Sequence, residues 1–413
     1  MKFNTQLLHG VPVLDAPGAT LPPIYQASAF AHESAEKLEA VFANRAPGFA
    51  YTRIGNPTVS AFEKRIAALE GAVDAVSCAS GMAAITAALL CVLQSGDEII
   101  AGSGLFGGTL DLLHDLERFG ITTRFVETVT AQSVRAQTNE HTKVIFAELI
   151  GNPKLDVVDI AAVAAVANEK GLVFIVDSTT ATPALVQPLR LGAHIVVHSS
   201  SKYINGSGDA ISGVIADGAK IAWDFEKFPA LAAYKKYGKL AYSVRLRQDL
   251  WRNFGACLAP QNAYLNILGL ETLGLRMERL CQNAAQLAAY LETRDELADV
   301  NYPALPRSGY AALTKTQFVG GQGGAILTLR AGSKARAFAL LDALKYAKIA
   351  TNIGDVRTLA IHPASTIYLH ATPAAQTAAG VYDDSLRISV GIEDIEDLIT
   401  DFAQAISSMK NEQ

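Results

Sequence analysis

The side chain with the clearest chemical potential in this sequence is Lys202, which follows three consecutive serines in the stretch HSSSKYINGSGD. The apolar run 195–197 just before this stretch is typical of a buried strand. A lysine at a strand end, among hydroxyls and glycines, can act as a nucleophile over a phosphate-bearing ligand. It does so once burial or neighbouring cations lower the pKa of its ammonium group. From this stretch alone, the alternative is a solvated lysine in a Ser/Gly-rich loop.

Two further polar residues follow predicted strands. Ser80 comes after a short β-like run and opens a helical segment, 80–93, whose N-terminal N–H groups can bind an anion. Asp177 ends another apolar strand. Strands that alternate with helices of this length predict an α/β fold with a parallel sheet, in which ligands bind beyond the carboxyl ends of the strands. We therefore expect Ser80, Asp177 and Lys202 to meet at one edge of that sheet.

Three regions are predicted to position these residues. They are an N-terminal arm at 1–59 that contacts a neighbouring subunit, a large domain at 60–258 and a C-terminal domain at 259–413. Within them the patterns predict a short helix at 34–42, a mixed linker at 221–256, a long helix at 261–291 and a loop at 351–366.

In the arm, Tyr51 and Arg53 lie two residues apart, so that an extended chain directs both to the same side. A phenol beside a guanidinium suits a phosphate or a carboxylate. A surface turn at Asn56-Pro57 explains the same stretch equally well.

A second glycine-rich stretch offers an alternative function. GSGLFG, residues 102–107, matches the dinucleotide pattern G-x-G-x-x-G through Gly102, Gly104 and Gly107, and it lies between a predicted strand and a predicted helix. An NAD-dependent oxidoreductase is the function that this pattern indicates. That interpretation leaves Lys202 and Asp177 without a role.

The composition excludes several classes of partner. A formal net charge of −5 and the absence of a Lys/Arg run predict no nucleic-acid or membrane partner. The N-terminus lacks the apolar core of a signal peptide, and no apolar run is long enough to span a bilayer. The cysteines, Cys78, Cys91, Cys257 and Cys281, have no metal-ligand spacing and are interpreted as small buried residues. We expect a cytoplasmic protein without a metal site.

Several motifs in the correct order give the chain a strong resemblance to one family. They are YTRIGNPT (51–58), SGMAA (80–84), LFGGT (105–109), GNPKLDVVD (151–159), FIVDSTTATP (174–183), HSSSKYINGSGD (198–209) and SLRISVGIED (385–394). The chain resembles the cystathionine γ-synthase-like pyridoxal-phosphate enzymes of sulfur amino-acid metabolism. The resemblance implies the aspartate-aminotransferase fold type I, with a mainly parallel sheet in the large domain and a smaller α+β C-terminal domain.

Carried over residue by residue, the resemblance implies that Lys202 forms the Schiff base with the aldehyde of pyridoxal 5'-phosphate and later moves substrate protons. Asp177 is implied to pair with the pyridinium nitrogen and to keep it protonated. Phe106 is implied to stack on the cofactor ring, and Asn152 to hydrogen-bond the ring hydroxyl. The phosphate is implied to bind at a cluster that comprises Ser80, Gly81, Met82, Ser199 and Ser201.

The resemblance also assigns residues to the substrate and to a second subunit. Arg387 is implied to hold the substrate α-carboxylate bidentately, with Asn352 assisting. Tyr51 and Arg53 are implied to reach the phosphate of a neighbouring subunit, with Tyr51 also close to the substrate. A dimer is then the smallest active unit, and a homotetramer built as a dimer of dimers is the expected assembly.

Within the family, ETLGLRMERL (271–280) and NIGDVRTLAIHPAST (352–366) look most like O-acetylhomoserine sulfhydrylases, also called homocysteine synthases. The expected reaction is γ-replacement of acetate on O-acetyl-L-homoserine by sulfide or methanethiol. Many relatives carry tyrosine at the position of Phe106, and methionine γ-lyases carry cysteine at the position of Gly108. The first departure favours an activated ester with a good leaving group over lyase chemistry, and the second also weakens the lyase interpretation. A γ-synthase, a γ-lyase and a non-catalytic relative remain the alternatives.

Overall fold

A computed structural model of the chain describes residues 1–13 and 18–409, and the structural statements below concern these residues. Residues 14–17 of the predicted arm and 410–413 of the predicted C-terminal domain lie outside them.

A seven-stranded sheet lies within the predicted large domain, in the order β1-β7-β6-β5-β4-β2-β3. Its strands are β1 (Asp74–Cys78), β2 (Glu98–Gly102), β3 (Thr122–Val126), β4 (Thr142–Glu148), β5 (Val173–Asp177), β6 (Ile195–His198) and β7 (Gly213–Asp217). The five neighbouring strands β3, β2, β4, β5 and β6 run parallel to one another. Strand β7 is antiparallel to both of its neighbours, β6 and β1. The predicted α/β class with a mainly parallel sheet is therefore confirmed.

Helices cover both faces of this sheet, which is why its central strands are apolar almost throughout. The helices in this part of the chain are α1 (Phe3–His9), α2 (Ala35–Phe42), α3 (Pro57–Glu70), α4 (Gly81–Leu90), α5 (Gly107–Leu116), α6 (Ala131–Gln137), α7 (Ile160–Lys170) and α8 (Thr182–Leu185). Helices α3 and α7 pack on one face, and α4 and α5 pack on the other.

Local sequence signals fix where these helices begin and end. Asn56 caps α3 by accepting hydrogen bonds from the backbone N–H groups of residues 58 and 59, and Pro57 takes the first helical position. Gly71 ends the same helix with a φ of 71°, a left-handed conformation that glycine adopts without a steric penalty. Ser80 caps α4 in the same way as Asn56 caps α3, through the N–H of Ala83.

A second, five-stranded sheet lies in the C-terminal part, in the order β10-β11-β12-β9-β8. Its strands are β8 (Asp299–Asn301), β9 (Ile326–Arg330), β10 (Lys348–Ile349), β11 (Leu359–Ile361) and β12 (Ser385–Ser389). The remaining helices are α9 (Ala241–Arg245), α10 (Arg252–Phe254), α11 (Pro260–Glu271), α12 (Leu273–Glu292), α13 (Ala311–Gln317), α14 (Lys334–Ala343), α15 (Pro373–Ala378) and α16 (Ile395–Ser408). Both sheets lie inside the predicted domains, whose exact boundaries stay a prediction.

Across the described residues, 1–13 and 18–409, no helix combines the length and the apolar character that crossing a membrane requires.

The interpretation of 221–256 as a linker is wrong. This segment contains a 3₁₀ helix at Pro229–Leu240, then α9, a π-helical turn at Leu246–Trp251 and α10. Trp251 is 2% exposed, packs on the α4 face of the large sheet, and donates a hydrogen bond from Nε1 to the carbonyl of Ser77 at 2.6 Å. The sequence misled because short, irregular helical turns carry no sustained 3.6-residue period.

Other predicted elements need smaller corrections. The predicted helix at 261–291 is two helices, α11 and α12, with a break at Thr272 whose φ and ψ are −109° and 5°. The predicted loop at 351–366 contains β11, and β7 was not predicted at all. The predicted short helix at 34–42 is confirmed as α2, while α1 lies in a stretch that was expected to be irregular. Three-residue strands such as β11 are too short for periodicity to show.

We predict that Trp251 anchors the 221–254 segment to the sheet. Trp251→Ala should lower the free energy of unfolding by ~3–5 kcal/mol because it leaves a cavity. Trp251→Phe should cost ~1–3 kcal/mol because the Ser77 carbonyl loses its donor. Urea titration followed by circular dichroism measures both. Phe119→Ala, at a side chain that is 69% exposed, is the control. A Trp251→Ala variant as stable as that control would contradict the prediction.

Candidate active site

One cavity of about 350 Å³ lies at the carboxyl ends of β4, β5 and β6, where the sequence predicted a site. Most of the predicted site residues line it, and they are Ser80, Gly81, Met82, Phe106, Asn152, Asp177, Ser199, Ser201, Lys202 and Arg387. The convergence has a simple cause, since parallel strands end at the same edge and the loops that follow them must lie side by side.

The Lys202 amine is half-buried in the cavity wall. Its Nζ donates a hydrogen bond to Oδ1 of Asn352 at 2.5 Å. Asn352 therefore contacts a residue of the cavity wall. Burial and, to a smaller extent, the positive charge of Arg387 lower the pKa of Lys202 below its ordinary value. A lysine in this setting loses its proton more readily than a solvated one and can then act as a base or a nucleophile.

Asp177 lies at the floor of the cavity and is 8% exposed. Its Oδ1 accepts a hydrogen bond from the backbone N–H of Thr179 at 2.9 Å. Burial raises the pKa of Asp177, and the Thr179 donor opposes that shift by stabilising the ionised form. The carboxylate is thus held in place for a cationic partner in the cavity.

Glu148 is a site residue that the sequence reasoning missed. It ends β4 directly opposite Asp177 in the register of β4 and β5. Its Oε1 accepts the backbone N–H of Phe106 at 2.7 Å, and its Oε2 accepts the backbone N–H of Asn152 at 3.0 Å. Burial and the neighbouring Asp177 raise its pKa well above the ordinary value, while the two N–H donors oppose the shift. An acidic residue at the end of a predicted strand was the signal available in the sequence.

Thr179 was missed as well. Its hydroxyl accepts the backbone N–H of Ser199 at 2.8 Å, while its own N–H donates to Asp177. The residue therefore joins the loop after β5 to the loop after β6. A hydroxyl two positions after Asp177 in DSTT was the corresponding signal.

The N-terminus of α4 forms one wall of the cavity. A Cβ at Gly81 would lie 2.6 Å from the Cβ of Ser199, so only glycine lets the helix approach that serine so closely. Gly81 and Met82 of this first turn line the cavity together with Ser199, an arrangement suited to an anion. The Ser201 hydroxyl donates to the carbonyl of Ser212 at 2.9 Å and would have to rotate before donating to such an anion.

Arg387 comes from β12 of the second sheet and is 2% exposed. Its two terminal nitrogens donate to Oδ1 of Asn152 and to the carbonyl of Asn352, both at 3.1 Å. Among the described residues its Nε has no hydrogen-bond partner although it is buried. Burial lowers the pKa of Arg387 to about 10. A buried guanidinium with a donor to spare is suited to a carboxylate.

Three predicted site residues, Tyr51, Arg53 and Asn352, do not line this cavity, and of these only Asn352 contacts a lining residue, Lys202, by a hydrogen bond. Tyr51 is 44% exposed, and the Arg53 guanidinium lies 5.5 Å from the centre of its ring. Arg53 also donates to the carbonyl of Arg252 at 2.6 Å. Within one chain these two side chains are available on the surface and take no part in the cavity.

The glycine-rich stretch 102–107 does not form a dinucleotide cradle. A Cβ at Gly104 would lie 2.5 Å from the side chain of Lys154, and one at Gly107 would lie 2.9 Å from the carbonyl of Ile367. The small cavity that Gly102 and Gly104 line has a volume of about 10 Å³. Other parts of the chain occupy the space beside Gly104 and Gly107, which a dinucleotide would need.

No group of His, Cys, Asp and Glu side chains within residues 1–13 and 18–409 has the arrangement of a metal site.

Comparison with known proteins gives a consistent result over almost the whole chain. Residues 4–407 match the family described as Cys/Met metabolism PLP-dependent enzyme, PLP being pyridoxal phosphate. An O-acetyl-L-homoserine sulfhydrylase of Corynebacterium glutamicum is 41% identical over 417 aligned residues, which cover 97% of this chain and 95% of the relative.

Solved structures of similar proteins share the fold. A Campylobacter jejuni protein, provisionally assigned as an O-acetylhomoserine (thiol)-lyase and carrying a pyridoxyl-lysine monophosphate, matches with a TM-score of 0.94 at 34% identity over 99% of this chain and 100% of that one. A cystathionine γ-lyase of Lactobacillus plantarum matches with a TM-score of 0.87 at 33% identity, again over 99% of this chain and 100% of that one.

We predict that Glu148 makes the stability of the cofactor-free protein depend on pH. Its raised pKa means that the folded protein holds the proton more tightly than the unfolded chain, so the free energy of unfolding falls as pH rises from about 4.5 towards the raised pKa. Glu148→Gln removes this contribution. The free energy of unfolding of the variant, relative to that of wild type, should therefore rise by up to ~1.4 kcal/mol for each pH unit in that range.

Thermal unfolding from about pH 5 to about pH 8 measures this difference. Glu140→Gln, which removes an exposed carboxylate instead, is the matched control. A constant difference between Glu148→Gln and wild type across that range would contradict the prediction.

Proposed function

The chain belongs to the Cys/Met metabolism PLP-dependent enzyme family, and we propose that within this family it catalyses γ-replacement on O-acetyl-L-homoserine. Sulfide or methanethiol replaces acetate, so the products are L-homocysteine or methionine, together with acetate. The observation that carries the proposal is Phe106, whose ring lines the cavity and has no hydroxyl. Glu148 holds this residue in place by accepting a hydrogen bond from its backbone N–H. The similarity to O-acetylhomoserine sulfhydrylases supports the same conclusion.

The residues of the cavity fit pyridoxal phosphate in chemical type. Asp177 offers a fixed negative charge for a pyridinium nitrogen, and the Gly81–Ser199 contact leaves the first turn of α4 open to a phosphate. The Asn152 side chain accepts from Arg387 through Oδ1, which leaves its amide N–H groups for a ring hydroxyl. When bound, the cofactor supplies a ring that withdraws electrons from the substrate carbons next to the amine.

Lys202 moves the protons in this proposal. Burial and the charge of Arg387 lower the pKa of Lys202, so its neutral amine forms more readily than that of a solvated lysine. The neutral Nζ takes the proton from the substrate Cα, and once that proton has left the amine it takes one from Cβ. Later, one proton returns to Cβ and one to Cα of the product. Asn352, which accepts from Nζ at 2.5 Å, orients the amine between these positions.

Arg387 holds the substrate in the orientation that the proton transfers require. Its guanidinium pairs with the α-carboxylate, and Asn152 and Asn352 fix its plane from two sides. A substrate clamped in this way has its Cα directed at Lys202.

Phe106 bears on the choice between replacement and elimination. Acetate is a good leaving group and departs without an acid, whereas thiolate or hydroxide needs a proton donor. A phenylalanine covers the cofactor ring but donates no proton. Cystathionine γ-synthase and γ-lyase activities are the alternatives within the family, and relatives such as the L. plantarum enzyme represent the second of them.

The proposal includes an assembly of at least two chains. Tyr51 and Arg53 lie exposed outside the cavity of their own chain, so they are available to reach the phosphate in a neighbouring copy. A dimer of dimers with this exchange is the proposed homotetramer. We also propose a cytoplasmic location, in keeping with four cysteines that are all free thiols.

The first test is incubation of the cofactor-loaded protein with O-acetyl-L-homoserine, with and without sulfide, while L-homocysteine and 2-oxobutyrate are measured. We expect homocysteine only when sulfide is present. Lys202→Ala should lower the rate by roughly 10³-fold or more while leaving the fold intact, because it removes the proton carrier. Lys315→Ala, at an exposed lysine of α13, is the control. Abundant 2-oxobutyrate without sulfide would instead identify a lyase.

A second prediction concerns the missing hydroxyl. Phe106→Tyr should raise 2-oxobutyrate formation from L-cystathionine or L-methionine by about tenfold or more, because it adds a proton donor near the leaving group. Phe125→Tyr adds a hydroxyl to a half-buried phenylalanine of β3 outside this cavity, and it should leave the rate unchanged. An equal rate in the two variants would mean that the hydroxyl is not the determinant.

A further inference from the structure

Two of the cysteines lie directly opposite one another. Cys78, the last residue of β1, pairs with Cys257 in an antiparallel bridge. The backbone N–H of Ala79 donates to the carbonyl of Ala256 at 2.8 Å, so the hydrogen bond joins the residues next to the pair. This pattern identifies Cys78 and Cys257 as a non-hydrogen-bonded pair, the closer of the two antiparallel arrangements.

The geometry of such a pair suits a disulfide. Opposite Cα atoms in a non-hydrogen-bonded pair lie about 4.5 Å apart, and their side chains point to the same face. Disulfides span Cα separations of about 4.4–6.8 Å. Both side chains pack on the α4 face of the large sheet, Cys78 fully buried and Cys257 half-buried.

The other two cysteines have no such partner. Cys91 is buried at the end of α4, where its Sγ hydrogen-bonds the carbonyl of Tyr242. Cys281 is buried within α12, in a different core cluster from Cys78. Of the four cysteines, all of which the structure describes, Cys78 and Cys257 are the two whose backbones pair with each other in a β-bridge.

We propose that Cys78 and Cys257 form a reversible disulfide, a modification site that responds to small-molecule disulfide oxidants. The half-buried Cys257 sulfur attacks one sulfur of the oxidant, forms a mixed disulfide and releases the first thiol. Cys78 then attacks the Cys257 sulfur and displaces the second thiol. Two cysteines are oxidised by two electrons, one oxidant disulfide is reduced to two thiols, and the cysteine protons leave with those thiols.

The order of these steps follows from burial. Burial raises the pKa of the Cys78 thiol, so the more accessible Cys257 reacts first with the oxidant. Cys78 reacts second because it lies beside the mixed disulfide. A reducing compartment keeps both residues as thiols, which is the usual pattern for regulatory intracellular disulfides.

The disulfide would act close to the cofactor site. Cys78 is two residues before Ser80, whose side chain caps α4. The start of α4 is tightly packed, since a Cβ at Gly213 would lie 2.2 Å from the Ser80 carbonyl and one at Gly81 would lie 2.6 Å from Ser199. A shift at Cys78 therefore reaches the first turn of α4. We expect the oxidised form to bind pyridoxal phosphate about fivefold more weakly, the effect of one lost cap hydrogen bond.

The direct test is peptide mapping of the holoenzyme after treatment with hydroxyethyl disulfide, a small neutral oxidant without an amine that would react with the cofactor. Trypsin and cyanogen bromide together place Cys78 in residues 66–82, Cys91 in 83–118, Cys257 in 253–276 and Cys281 in 280–294. Mass spectrometry should find 66–82 linked to 253–276, and a phosphine reductant should separate them. A hydroxyethyl adduct on Cys257 alone, or a Cys257–Cys257 link between two chains, would overturn the proposal.

Variants separate the pair from the remaining cysteines. Cys257→Ala should abolish the link, whereas Cys281→Ala, which removes a buried cysteine elsewhere, should leave it unchanged. Loss of the link in Cys281→Ala, with its fold intact by circular dichroism, would overturn the assignment. The mapping of the wild-type protein needs no variant, so a misfolded variant does not leave the proposal untested.

The effect on the cofactor is measured separately. Pyridoxal phosphate is titrated by its absorbance into oxidised and phosphine-reduced protein, without sulfide, which would itself cleave a disulfide. Equal dissociation constants would overturn the coupling to the cofactor. This part rests on the proposed role of Ser80 and Gly81 at the phosphate. The disulfide mapping does not, so failure of the proposed function and failure of the disulfide remain distinguishable.

Discussion

The burial of two carboxyl groups side by side is the constraint on which the cavity depends. Glu148 and Asp177 end neighbouring parallel strands in direct register, so each raises the cost of ionising the other. The structure offsets this cost with backbone N–H donors from Phe106, Asn152 and Thr179. Those donors belong to the loops that cover the cavity. Glu148 and Asp177 therefore fix the positions of the covering loops. In this way they also position the aromatic ring of Phe106 and the amide of Asn152.

A second set of contacts joins the two sheets across the cavity. Lys202 follows β6 of the large sheet, while Arg387 belongs to β12 of the smaller one. Asn352 connects them, because its side chain accepts from Lys202 and its carbonyl accepts from Arg387. The distance between amine and guanidinium is thus set by the packing of the two sheets. In the proposed function an amino-acid substrate lies between these two groups, with its Cα near the amine and its carboxylate at the guanidinium.

The 221–254 segment shows how an apparently peripheral stretch becomes part of the core. Its aromatic residues cover the α4 face of the large sheet, and Trp251 fixes it to β1 through the Ser77 carbonyl. The chain then returns alongside the end of β1, which sets Cys257 opposite Cys78. Packing that stabilises the sheet edge therefore also creates the thiol pair. The thiol pair lies close to the start of α4, since Cys78 is two residues before the Ser80 cap, where the cofactor phosphate is proposed to bind.

The sequence by itself determined the α/β class, most strands and helices of the large domain, and the meeting of Ser80, Asp177 and Lys202 at one sheet edge. These follow from local periodicity and from the rule that parallel strands end together. Only the tertiary structure decided that Glu148 faces Asp177, that Asn352 holds Lys202, and that Cys78 meets Cys257. Each of these pairs lies far apart along the chain, and the strand register and the packing of the two sheets that unite them have no signature in local sequence.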